Sequence, residues 1–116
     1  MPTPPNRPNL KVEQTETGMV VRLVGCGSLN EQTTPDVEQQ LIGLAAELGG
    51  VHLVVDLAAI HYMSSIGLGM LIGLRQKLRT AGGQLSTRGV REEIYDMFDA
   101  TRLTRLLDVH RDRAPG

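Results

Sequence analysis

The sequence predicts an α/β domain, a small mixed β-sheet with amphipathic helices mainly on one face. Three observations carry that prediction. The run Val51-His52-Leu53-Val54-Val55-Asp56-Leu57 is apolar and rich in β-branched residues, as a buried strand is. Val37, Leu41, Leu44 and Leu48, and later Leu68, Leu71, Ile72, Leu74 and Leu78, recur at threes and fours, as one face of a helix does. Ahead of both, Val12 and Met19 to Val24 flank Thr17-Gly18 and read as a hairpin. The order ββ-α-β-α-β-α(-β) favours parallel strands joined by right-handed crossovers, and the hairpin makes the sheet mixed.

Taken along the chain, residues 1–9 carry Pro2, Pro4, Pro5 and Pro8 without a periodic pattern and read as a disordered N-terminal segment. The domain is expected over residues 10–110, with a tail at 111–116. Gly18 supplies the positive φ that a hairpin turn often needs. Gly25-Cys26-Gly27 lets the chain leave the sheet. Thr34 before Pro35 is a helix start, a capping hydroxyl with proline at the first helical position. Gly49-Gly50 ends that helix. A second helix runs to about Thr80 and stops at Gly82-Gly83, before a short strand over 84–87. Val90, Ile94, Met97 and Phe98 form a third helical face, and Leu103 to Val109 suggest a last turn and a final short strand.

Composition narrows the function. A chain of 116 residues is one domain, and its net charge of −1 argues against a general nucleic-acid binder. Phe98, Tyr62 and Tyr95 are too few aromatics for a stacking platform on single strands. Cys26 is the lone cysteine, which excludes an internal disulfide and suits a reducing compartment. No stretch is long enough to span a bilayer, and the N-terminus lacks an apolar signal core, so a cytoplasmic protein is expected.

The chemistry centres on Ile60 to Leu78. Ser64 and Ser65 stand between the buried strand and the second helix, where an N-cap belongs. A helix N-terminus has unpaired N–H groups and the positive end of the helix dipole, so it holds negative charge well. That is a place for a phosphate, bound or covalently attached. The bland alternative is that both serines only cap the helix. Ile66, Met70 and Gly73 lie roughly on one side of the second helix, away from its leucine stripe, and offer a docking face.

Tyr62-Met63-Ser64-Ser65-Ile66-Gly67-Leu68-Gly69-Met70-Leu71 resembles the phosphorylation loop of STAS domains, in particular of bacterial anti-sigma factor antagonists. Val54-Val55-Asp56-Leu57 and Ala81-Gly82-Gly83-Gln84-Leu85 extend the likeness from about Leu10 to Val109. The resemblance implies a STAS fold, with Ser65, or secondarily Ser64, as the phosphorylated residue. It implies partner contacts at Asn30, Ser64, Ile66, Gly67, Met70 and Gly73. Ser64 stands where these antagonists commonly carry Asp, and Asn30 where they commonly carry an acid. The implied partner is an anti-sigma factor, usually also a serine kinase, which the unmodified antagonist binds to free a sigma factor. Phosphorylation ends that binding, and a PP2C-type phosphatase restores it. The chain would be substrate and ligand rather than enzyme, with no cofactor and no metal. The alternative is a STAS interaction module without phosphorylation, in a signalling scaffold or a lipid-transport complex.

Other chemistry is weaker. His52, His61 and His110 have no metal-ligand spacing with Cys26. Asp56 is expected to orient the serine loop by accepting backbone hydrogen bonds. A Ser65–His61–Asp56 hydrolase is the rival class, but the G-x-S-x-G elbow is absent. Gly67-Leu68-Gly69 and Gly73 miss the dinucleotide spacing by one residue, so nucleotide binding is rejected as the main role.

Overall fold

A computed structural model describes residues 9–16, 18–24, 27–48, 52–105 and 108–111. The expected N-terminal segment (apart from Asn9), the Gly25-Cys26 break, the Gly49-Gly50 stop and the tail beyond Arg111 lie outside them. Strands β1 (Asn9–Gln14) and β2 (Gly18–Val24) form the predicted hairpin, antiparallel with Leu10 opposite Leu23. There follow β3 (Ser28–Leu29), helix α1 (Thr34–Leu48), β4 (His52–Asp56), β5 (Tyr62–Met63) and helix α2 (Ser65–Thr80). The chain then forms β6 (Gln84–Val90), helix α3 (Glu92–Ala100), a 3-10 turn over Leu103–Arg105 and β7 (Asp108–Arg111).

One sheet has the order β1-β2-β4-β6-β7, with β1 antiparallel and every other pair parallel. The mixed α/β architecture is thus as the patterning predicts. Side-chain alternation sends Met19, Val21, Leu23, Leu53, Val55 and Leu85 into the core. The opposite face carries Arg22, Asp56 and Arg88 side by side on three adjacent strands. Phe98, the single phenylalanine, is fully buried on α3 and closes the core from that side.

Four local expectations are corrected. Gly18 does not take a positive φ. A Cβ there would collide with the carbonyl of His52 on β4, so the glycine serves close strand approach. The Thr34 hydroxyl is buried without a hydrogen bond, and the helical pattern already begins with Val37 N–H donating to the Thr33 carbonyl. The strand expected over 84–87 runs on to Val90, which places Val90 in β6 rather than on α3. Within α2 the inner face is Gly67, Met70, Leu71, Leu74 and Leu78, spaced i, i+3, i+4, i+7 and i+11, while Ile72 is 38% exposed. Met70 and Ile72 therefore exchange the sides assigned to them from the apolar spacing.

Gly67 packs α2 closely against β3 and β5. A Cβ at this position would lie 2.7 Å from Met63 Cγ and 3.0 Å from Leu29 Cβ. Gly67→Ala gains about 1 kcal/mol of helix propensity but meets an overpacking cost of about 1–3 kcal/mol. The expected result is a lower urea midpoint, with a net loss of up to about 2 kcal/mol. A midpoint above that of the wild type would contradict this packing.

Candidate functional site

A second, two-stranded sheet builds the serine loop. β3 and β5 pair in parallel, Ser28 with Tyr62 and Leu29 with Met63. His61 N–H donates to the Gly27 carbonyl at 2.7 Å, and Ser64 N–H donates to the Leu29 carbonyl at 2.8 Å. The residue before α2 is thus fixed by long-range hydrogen bonds from a segment more than thirty residues earlier. Ser64 sits at the N-cap with extended backbone (φ −86°, ψ 176°), and its carbonyl accepts the first helical bond from Leu68 N–H at 3.1 Å.

The two serines differ. Ser64 Oγ is buried and without a hydrogen bond, so it does not cap the helix through its hydroxyl. Ser65 is the first helical residue, and it is exposed. Tyr62, three residues earlier on β5, and Ile66, the next residue of α2, are 55% and 42% exposed, large apolar groups left in water. A hollow of about 310 Å³ opens here, lined by Asn30, Glu31, Gln32, Tyr62 and Ser64.

Asn30 shapes the rim of this hollow. Its carboxamide oxygen accepts from Gln32 N–H at 2.8 Å and Thr33 N–H at 3.0 Å, and its amide donates to Ser28 Oγ at 3.1 Å. This is an Asx turn. Thr33 Oγ1 in turn donates to the Ser28 carbonyl at 2.8 Å, which locks the 30–33 loop onto β3. The structure therefore brings Asn30 and Ser64 to one opening, with Ser65 and Ile66 exposed at the adjoining start of α2 and outside its lining. It does not bring Met70 or Gly67 there, since both face the core, Met70 at 3% exposure. Gly73 lies further along α2, half-buried, with open space where a Cβ would stand. Tyr62 and Glu31 were not among the expected contacts. The aromatic two residues before the serine pair is a usable signal for the first, and nothing in the sequence points to the second.

Asp56 acts one step back. It is 5% exposed, and its Oδ1 accepts from Ala58 N–H at 2.9 Å. Its Oδ2 accepts from Arg88 Nε at 3.1 Å, with Arg22 Nε at 3.6 Å. Arg91 Nε donates to the Ala58 carbonyl at 2.9 Å, and Leu57 N–H to the Arg88 carbonyl at 2.9 Å. The backbone bond that Asp56 accepts therefore secures the turn at 57–60, which delivers the chain to β5. It does not reach the serine loop itself. No hydrogen bond joins Ser65, His61 and Asp56 among the described residues, and the Asp56 carboxylate is already engaged. The hydrolase geometry is not assembled.

Residues 9–114 match the STAS domain family. The chain belongs to that family. It is 38% identical over 85 residues to the anti-sigma-B factor antagonist of Staphylococcus epidermidis, covering 72% of this chain and 77% of that protein. An anti-sigma factor antagonist from Mycobacterium paratuberculosis has a similar structure, with a TM-score of 0.76 at 24% identity over 93% of this chain and 89% of that one. SpoIIAA, an anti-sigma factor antagonist from Bacillus, is similar in its unphosphorylated form, at 16% identity and a TM-score of 0.70 over 87% of each chain. Its phosphorylated form gives 18% identity and a TM-score of 0.63 over 87% of this chain and 90% of that one. Membership of this STAS group places the chain among non-enzymatic regulatory proteins. No helix among the described residues is long and apolar enough to cross a membrane.

Proposed function

We propose that this STAS domain is an anti-sigma factor antagonist that docks on an anti-sigma factor through the surface around Ser65 and the adjoining hollow. The partner is a serine kinase, phosphorylation of Ser65 ends binding, and a PP2C-type phosphatase restores it. The carrying observation is the contrast at the start of α2. Ser65 is exposed between exposed Tyr62 and Ile66, while the Ser64 hydroxyl is buried. A kinase needs an accessible hydroxyl, and a docking surface needs apolar anchors that lose water on contact. Tyr62 on β5 and Ile66 on α2 supply the anchors, within three residues of the hydroxyl. The relatives named as antagonists support the partner class, and a SpoIIAA structure in a phosphorylated form supports the modification.

Calorimetric titration with the anti-sigma factor kinase from the same genome tests the surface. Tyr62→Ala and Ile66→Ser are each expected to weaken binding tenfold or more, about 1.4 kcal/mol, with the thermal unfolding midpoint little changed. Wild-type affinity in both variants would remove this opening from the interface.

A further inference from the structure

A second cleft lies at the other end of α2. It measures about 580 Å³ and is lined by Arg75, Arg79, Gly82, Gly83, Gln84, Leu85 and Ser86. That volume suits a small metabolite. Among the described residues the lining includes two guanidinium groups and a carboxamide and no carboxylate. Among the described residues neither arginine has a salt-bridge or hydrogen-bond partner. The ion pairs found instead converge on Asp56, elsewhere on the sheet.

A structural explanation covers only part of this. Basic groups in the last turn of a helix offset its dipole, and Lys77 and Arg79 stand there. Arg75 lies before the last turn, so the dipole does not call for it. It is also half-buried, unlike Lys77. Arg75 and Arg79 are one turn apart, about 6 Å along the axis, so both forks address the same space. The turn below them is bare, because Gly82 sits at φ +85° to close the helix and carries no side chain into the cleft. A planar five-donor fork favours bidentate contact with phosphate oxygens.

We propose that this cleft binds a small molecule through a diphosphate group, gripped by Arg75 and Arg79 against the open Gly82-Gly83 turn. The site is independent of the Ser65 surface, at the opposite end of the same helix. The test is an amide ¹⁵N–¹H NMR titration of the full chain with inorganic pyrophosphate at constant ionic strength. Saturable shifts are expected at the amides of Gly82, Gly83, Gln84 and Ser86. The double variant Arg75→Gln/Arg79→Gln, which keeps its dispersed folded spectrum, is expected to need at least tenfold more ligand. Shifts that do not saturate, shifts confined to the amides of Ser64 to Gly67, or an unchanged midpoint in the variant would overturn the proposal. Should the double variant unfold, the wild-type pattern of shifted amides decides alone.

Discussion

One phosphate on Ser65 is expected to weaken partner binding about a thousandfold, roughly 4 kcal/mol, without unfolding the domain. Ser65 is the first residue of α2 and exposed, so the phosphate enters no packed volume. It meets the free N–H groups of the first turn and the positive end of the dipole, which offset part of its charge within the domain. At the interface the balance reverses. Nearly two negative charges would be pressed between Tyr62 and Ile66 and stripped of water. One buried, unmatched charge is enough to produce a loss of this size. Ser65→Glu carries one charge on a longer stem and should reproduce only part of it. Ser65→Ala should bind much as the unmodified protein does and resist the switch. Titration calorimetry reads the affinities, and urea midpoints within about 0.5 kcal/mol of wild type check that the fold is unaffected.

Asp56→Ala is expected to cost about 2–3 kcal/mol of stability, chiefly through the bond to Ala58 N–H. The Asp56 side chain is 7% exposed, and a hydrogen bond to a buried charged acceptor is worth more than a neutral one. Its arginine partners are different. The side chains of Arg22 and Arg88 are 54% and 42% exposed, so their attraction to Asp56 is screened and adds at most about 1 kcal/mol each. Arg22→Ala should therefore cost well under half of what Asp56→Ala costs, because Arg88 and Ala58 still satisfy the carboxylate. Equal losses in the two variants, measured as urea midpoints with unchanged slope, would mean that the ion pairs rather than the turn dominate. The 57–60 turn feeds β5 and the serine loop, so Asp56→Ala should also weaken partner binding modestly.

The parts of this fold that were legible in the sequence are those with a strong local period. The β1–β2 hairpin, α1, β4 and α2 follow from alternation or helical spacing, and Gly82-Gly83 marks the end of α2 as expected. The β3–β5 pair was not legible. Two-residue strands have no period, and their pairing joins residues 28–29 to 62–63 across α1 and β4. The face of α2 was also ambiguous, because Ile66 to Leu74 is apolar or glycine at every position and the stripe has no polar edge. Apolar spacing alone therefore puts Met70 outside and Ile72 inside, the reverse of what packing selects. At the site, the serine pair could be read from its place between strand and helix, but which hydroxyl is accessible depends on β3 fixing Ser64. Asn30 was read as a contact residue. Its spacing to Thr33 held the signal for the Asx turn that occupies its carboxamide.

Intact-mass analysis of the full chain, after incubation with ATP and each candidate serine kinase from its genome, tests the switch most directly. The expected result is a gain of one phosphate on the wild type, none on Ser65→Ala, and an unimpaired gain on Ser64→Ala. Failure of every candidate kinase that binds the protein to add phosphate would contradict it, as would a phosphate that persists in Ser65→Ala.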